Sequence, residues 1–136
     1  MPGILIVLVV WAFCVVVASA LLHEAGHAWI ARSVGWTVVG LRCSWYGVAL
    51  VADTNGKHEQ TWKVAAGGPA ATGALALCFL VGTVLPQPVS ALCLVGFAFN
   101  AAVLVINLVP VRSLDGGHIL GGLRKSRACD PGSGRP

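Results

Sequence analysis

The sequence predicts an all-α polytopic membrane protein, with three transmembrane helices and a small β-hairpin at the cytoplasmic membrane surface. Of its 136 residues, 57% are apolar and 10% are charged, whereas a soluble domain carries about 25% charged residues. So short a chain has too small an interior to bury that apolar excess. Intrinsic disorder is excluded as well, because it requires low hydrophobicity and high charge.

Three apolar runs define the predicted spans. Each reaches the ~20 residues that a helix needs to cross the hydrocarbon of a bilayer. The predicted spans cover about residues 4–34, 64–85 and 89–108, and a short helix is expected after residue 114. Together they predict one membrane-embedded core over residues 1–123. Residues 124–136 are basic and rich in Gly, Pro and Ser, which predicts a disordered cytoplasmic tail.

The first apolar run has a second interpretation as a secretory signal peptide. Ala18-Ser19-Ala20 resembles a cleavage site. However, the leading Met1-Pro2-Gly3 carries no positive charge, and the run is longer than a usual signal core. A membrane span is therefore the favoured interpretation.

The basic residues predict the orientation of the chain. Three spans place residues 32–63 and the segment after residue 108 on the same side of the membrane. All nine Lys and Arg residues fall on that side: Arg32, Arg42, Lys57, Lys63, Arg112, Arg124, Lys125, Arg127 and Arg135. The positive-inside rule makes this side cytoplasmic and the N-terminus external. Orientation accounts for the basic tail, so no nucleic-acid partner is expected.

The segment between the first two spans predicts a β-hairpin. Trp36–Leu41 and Trp45–Ala52 are rich in β-forming residues, and Thr54-Asn55-Gly56 is typical of a turn. The second strand is uncharged, so its open edge is suited to pairing with an extended peptide. A simple surface connection is an equally good interpretation of the same residues.

The sequence HEAGH, residues 23–27, is the most informative motif. It continues the first apolar run without a break, so His23 and His27 should share one helix face and bind one metal ion. Glu24 is then placed to act as a general base on water. Polar residues at a helix end are the alternative, but a charged group inside a bilayer costs about 2.5–3.5 kcal/mol. A bound metal ion would offset that cost.

A catalytic zinc ion takes three protein ligands, so one more residue is required. The remaining candidates are Asp53, His58, Glu59, Asp115, His118 and Asp130. Asp115 is preferred because it follows the third span, where Pro110 should end the helix and two glycines permit close approach. Asp115 also suits a helix cap, and His118 could replace it as a ligand or support it.

Two motifs of this chain resemble the signature of the site-2 protease family. They are HEAGH near the end of one span and NLVPVRSLDGG after a later one. Asn100 and Gly67-Gly68-Pro69 also fit the family pattern. The resemblance covers about residues 1–123, and the family consists of polytopic intramembrane zinc metalloproteases that cleave membrane-spanning substrates.

The resemblance implies a role for each matching residue. His23, His27 and Asp115 would bind one zinc ion per chain, and Glu24 would be the catalytic base. The residues expected to bind substrate or support the ligands are Asn107, Asn100, His118, Gly68 and Pro69.

The predicted function is therefore regulated intramembrane proteolysis in a bacterial cell membrane, with the site near the cytoplasmic side. The expected partners are a membrane-spanning protein or peptide substrate and the lipid bilayer. The family's PDZ-like and gating elements are not expected here, which leaves three interpretations of the chain: a minimal enzyme, a homo-oligomer, or one part of a larger complex. A non-proteolytic metal-binding or metal-transporting membrane protein and a catalytically silent scaffold are the alternative functions.

Overall fold

The computed structural model describes residues 2–44 and 47–128. In this part of the chain it contains four α-helices, a two-stranded antiparallel sheet and one 3-10 turn. In chain order these are α1 (Pro2–Ser33), β1 (Thr37–Ser44), β2 (Gly47–Asp53), the 3-10 turn (His58–Gln60), α2 (Thr61–Gly82), α3 (Val89–Leu108) and α4 (Asp115–Ala128).

Helix α1 continues unbroken through the HEAGH motif. It ends in a Schellman motif, in which the Trp36 amide donates to the Ala31 carbonyl at 2.9 Å and the Gly35 amide to the Arg32 carbonyl at 3.1 Å. Gly35 has a φ of 81°, a conformation that glycine adopts without steric cost. The chain therefore turns sharply after α1 and enters β1.

The hairpin forms close to its predicted position. Strands β1 and β2 pair antiparallel from Thr37 opposite Asp53 to Ser44 opposite Gly47, with an irregularity between Val38 and Gly40. The predicted start of the second strand, Trp45, lies outside the described residues. Both strands contact α1, so the hairpin lies against the helix that carries HEAGH.

Helix α2 is the centre of the fold. It packs against α1, α3 and α4, and small residues of its first half, including Gly67 and Gly68, are buried. It begins three residues before the predicted span and ends at Gly82 rather than residue 85. Pro69 lies inside this helix without ending it.

The last two helices are joined by an extended segment. Helix α3 ends at Leu108, as expected from Pro110, which has no amide hydrogen to continue the helical hydrogen bonds. Helix α4 begins at Asp115 and runs to Ala128. Residues 124–128 of the predicted tail therefore belong to this helix, and residues 129–136 lie outside the described part.

Helices α1, α2 and α3 are long and apolar enough to cross a membrane by length and composition. Large apolar side chains of α1 and α3 point outward, including Ile4, Phe13, Leu94 and Val105, each more than half exposed. Such a surface is compatible with a membrane protein and untypical of a soluble one.

Candidate metal centre and active site

The two histidines of HEAGH face each other on α1. Their rings meet edge to face, with centroids 4.8 Å apart and an interplanar angle of 83°. The Nε2 atoms of His23 and His27 are 3.1 Å apart. The side chains are 12% and 11% exposed, so both nitrogens are largely shielded from solvent.

Asp115 reaches the same point from the first turn of α4. Its Oδ2 atom lies 3.1 Å from Nε2 of His23 and 3.4 Å from Nε2 of His27. The three ligand-type side chains therefore converge from two helices that are far apart in sequence. Within the described residues they form the group of His, Cys, Asp or Glu side chains suited to a metal ion.

The dimensions of this triangle fit a tetrahedral metal ion. Zinc bonds of about 2.0–2.2 Å at tetrahedral angles place neighbouring ligand atoms about 3.3–3.6 Å apart. The observed separations of 3.1, 3.1 and 3.4 Å are close to those values. Two imidazole nitrogens and a carboxylate oxygen repel one another as lone-pair donors, so a cation or a shared proton between them is needed to stabilise the arrangement.

Both histidines are held from behind by helix α2. Nδ1 of His27 lies 2.8 Å from the carbonyl oxygen of Val64. The Gly68 amide nitrogen also lies 3.2 Å from this Nδ1 atom. The shorter contact is to the carbonyl, which only accepts, so with the hydrogen on Nδ1 a neutral ring directs its Nε2 lone pair toward the centre. Nδ1 of His23 lies 2.9 Å from Oγ1 of Thr72, which is buried. These contacts orient both rings.

Gly68 provides the space that the two rings occupy. A Cβ atom at this position would lie 2.6 Å from Nε2 of His23 and would overlap Nε2 of His27. The next residue, Pro69, has no amide hydrogen, so the Ala65 carbonyl lacks its usual helical partner. Gly68 thus lies on the face of α2 beside the histidines, and Pro69 is buried next to it in the same helix.

A second close contact between backbones sets the distance from α1 to α2. A Cβ atom on Gly26 would overlap the carbonyl oxygen of Gly67, and one on Gly67 would overlap that of Gly26. Small residues permit such an approach of two helices. The contact brings the HEAGH turn within hydrogen-bonding distance of α2.

The segment before α4 folds back over its first turn. A Cβ atom on Gly116 would lie 2.6 Å from the carbonyl oxygen of Val109, and one on Gly117 would lie 3.0 Å from the amide nitrogen of Arg112. Gly116 and Gly117 therefore permit the close approach expected from the sequence, and neither has a positive φ.

The two histidines also affect the ionisation of Asp115. Burial alone would raise the pKa of Asp115, but hydrogen bonds with His23 and His27 outweigh it and lower the pKa to about 2.

Glu24 is held by the hairpin. Its Oε2 atom accepts a hydrogen bond of 2.8 Å from the backbone amide of Leu50 in β2. The Leu50 amide points toward α1, so the edge of β2 that does not pair with β1 faces this helix. The carboxylate is thus next to the two histidines in sequence and in contact with the free strand edge.

A cavity of about 530 Å³ connects these groups. It is lined by the three ligand-type residues, by Glu24, by β2 and by the segment before α4. The lining residues outside α1 include Val48, Leu50, Ala52, Asn107, Ser113 and His118. The free strand edge and the α3–α4 connection therefore border the same space as the candidate metal centre.

The other predicted site residues differ in their relation to this centre. Asn107 lines the cavity and donates to the Val103 carbonyl at 2.9 Å. His118 lines the cavity but is exposed and lies outside the group of three. Asn100 is fully buried in α3, donates to the Gly96 carbonyl at 2.9 Å and does not line the cavity.

Among the described residues, the rejected ligand candidates do not join the centre. Asp53 accepts from the Asn55 amide at 2.9 Å at the end of β2. His58 and Glu59 are exposed in the 3-10 turn, and Asp130 lies outside the described residues.

Three groups that contact the site side chains were missed by sequence reasoning. Thr72 was visible only as one of two polar side chains in an apolar run, which is a weak signal for a contact with histidine. The Val64 carbonyl and the Leu50 amide are backbone groups, and every residue type other than proline carries both. Their roles depend on the fold.

No family model matches the chain. The chain is similar to a protein of Synechocystis sp. (strain PCC 6803) named "Putative zinc metalloprotease". They are 34% identical over 107 residues, which is 76% of this chain and 28% of the length of the Synechocystis protein. The chain thus spans less than a third of that relative, and the similarity supports a relationship to a metalloprotease.

Proposed function

We propose that this chain is an intramembrane zinc metalloendopeptidase of the site-2 protease type, cutting peptide bonds within or next to transmembrane segments. One observation carries the proposal: His23, His27 and Asp115 converge beside Glu24 in a shared cavity. The metalloprotease similarity and the three long apolar helices support it.

The residues of the site divide the chemical work. His23, His27 and Asp115 would hold zinc, which would supply a Lewis acid for activating water and polarising a carbonyl near neutral pH. Glu24 accepts the proton from the attacking water and returns a proton to the leaving amine. Val64 and Thr72 keep the two imidazoles oriented while this occurs.

We place the site in the cytoplasmic half of the bilayer, in a bacterial cell membrane. The basic residues favour a cytoplasmic location for the hairpin and α4. Six residues separate His27 from Ser33, where α1 ends, a rise of ~9 Å. Water can therefore reach the centre from the cytoplasm through the cavity without crossing the whole bilayer.

The proposed substrate is a membrane-spanning protein or a remnant peptide whose helix has locally unwound. An intact helix shields its peptide bonds with its own hydrogen bonds. The β2 edge and the α3–α4 connection border the cavity and offer backbone groups to an extended strand. Both are suited to holding the unwound segment beside Glu24.

The test is a comparison of Glu24→Gln with wild type in liposomes containing tagged single-span membrane proteins. General base catalysis contributes about 10²- to 10⁴-fold, so Glu24→Gln should lose cleavage by that factor while retaining zinc. Glu59→Gln, which changes an exposed carboxylate in the 3-10 turn, should retain both. Wild type that binds zinc but cleaves none of the proteins would favour metal binding or transport instead.

Metal analysis tests the centre separately. The purified chain should contain one zinc ion, and chelation should abolish cleavage. Less than about 0.3 zinc per chain after gentle purification would contradict the proposal, because a three-ligand site should retain its metal.

A further inference from the structure

The backbone amide of Leu50 has two potential partners. In the structure it donates to Oε2 of Glu24 at 2.8 Å. It also belongs to the free edge of β2, which borders the cavity. A strand that pairs with an edge uses the outward-pointing amides and carbonyls of alternate residues.

Alternation along β2 identifies the other groups of this edge. Leu50 lies opposite Leu41, and Val48 lies opposite Cys43 in an unbroken register. Val48 and Leu50 are two residues apart, so their amides and carbonyls point the same way. An incoming strand that pairs with Val48 would therefore continue onto Leu50 and require the hydrogen that Glu24 now accepts.

We propose that the Leu50 amide is a latch on Glu24 that an extended substrate strand displaces. The inference rests on the proposed function. When the substrate's carbonyl takes the Leu50 hydrogen, Glu24 loses its donor and turns its free oxygen to the water it deprotonates. In the structure the base is held by this strand edge.

The exchange explains why an extended backbone would be required. A carboxylate is a stronger acceptor than a neutral carbonyl, so one carbonyl alone does not displace Glu24. Additional hydrogen bonds along Val48 and the rest of β2 are needed, and only an unwound segment has free carbonyls to form them. An intact transmembrane helix would leave the hydrogen bond from the Leu50 amide to Glu24 in place, and the base would remain bound to the strand edge.

Peptide binding to the zinc-free full-length chain in detergent micelles tests the latch without relying on catalysis. The probe is an amidated hexapeptide of alternating valine and threonine with a fluorophore on its N-terminus, and its dissociation constant is measured by fluorescence anisotropy. Glu24→Ala removes the competing acceptor and should bind the probe about 10-fold more tightly than wild type, as expected for a charged hydrogen bond. Glu24→Gln keeps a neutral acceptor and should lie between them.

Two controls restrict the interpretation to the strand edge. Glu59→Ala removes a carboxylate outside this cavity and should bind the probe as wild type does. A probe methylated on alternate backbone nitrogens, on the side facing β2, should not bind any variant.

A double-mutant cycle isolates the Leu50 amide. Leu50→Pro removes that hydrogen without removing a bond to β1, because the amide points outward. In this background Glu24→Ala should give no further gain in affinity. Equal affinity of wild type and Glu24→Ala, a gain that survives Leu50→Pro, or no binding of the probe by any variant would each overturn the latch.

The outcomes separate the latch from the proposed function. If wild type cleaves no substrate but Glu24→Ala still binds the probe more tightly than wild type, proteolysis would be contradicted. The contact between the strand edge and the carboxylate would then still stand. Cleavage by wild type with equal probe affinities would retain the protease and refute the latch.

Discussion

Thr72 places its hydroxyl oxygen 2.9 Å from Nδ1 of His23. The pair joins the middle of α2 to the HEAGH turn of α1, and Thr72 is 1% exposed. A hydrogen bond to the distal nitrogen of a metal-binding histidine fixes the ring and tunes its basicity. The support for one predicted ligand therefore comes from a helix that contributes no ligand of its own.

Replacement of Thr72 by valine should weaken zinc binding by about 10- to 100-fold, the usual effect of losing such a partner. Valine keeps the shape but removes the hydroxyl, so His23 Nδ1 loses its partner. Competition with a fluorescent chelator measures the affinity. Thr83→Val is the matched control because Thr83 donates to the Leu80 carbonyl at the end of α2, and unchanged affinity in both variants would exclude this role for Thr72.

Asp115→Asn should abolish tight zinc binding, because the charged third ligand is lost while size and helix position are kept. His118→Ala should retain about one zinc per chain, since His118 lies outside the group of three. Metal content by mass spectrometry distinguishes the two. Zinc retention in Asp115→Asn together with loss in His118→Ala would assign the third ligand to His118.

Gly68→Ala should destabilise the protein and disrupt the centre. The added Cβ atom would lie 2.6 Å from Nε2 of His23, and overpacking of this kind costs about 1–3 kcal/mol. Gly73→Ala is the matched control on the same helix, because its Cβ atom would meet only Leu104 Cδ2 at 3.6 Å. The midpoint temperature of unfolding in detergent and the zinc content should both fall for Gly68→Ala. Both should stay unchanged or rise for Gly73→Ala.

Gly26→Ala should separate α1 from α2. Its Cβ atom would overlap the Gly67 carbonyl and lie 2.8 Å from Cβ of Ala71, so the helices must move apart. We expect a loss of about 1–3 kcal/mol in the free energy of unfolding, together with weaker zinc binding. Gly121→Ala meets no atom within 4 Å and should be neutral or slightly stabilising, and equal stability of both variants would show that the helix contact is not tight.

The helices and the group of three side chains were accessible from the sequence because their signals are local. Apolar run lengths predicted α1, α2 and α3 within three residues at every end, and Pro110 marked the end of α3. The i, i+4 spacing places His23 and His27 together on any helix. Asp115 was selected from six candidates by its position after the third apolar run, and the structure brings it to the histidines.

The supporting contacts were not accessible because they depend on tertiary packing. The carbonyl of Val64 reaches His27 only because Gly26 and Gly67 let their helices approach. The extent of α4 was missed for a different reason. Its residues include glycines and charged side chains that gave weak helical periodicity, yet the helix continues to Ala128 and packs against α2.

The order of residues along the chain has a biosynthetic consequence. His23, Glu24 and His27 lie in the first helix, and the Val64 and Thr72 partners follow in the second. Asp115 lies beyond all three long helices. A nascent chain can therefore orient the histidines and the proposed base well before the proposed last ligand is synthesised, so the candidate centre is completed only after the helical core is available to surround it.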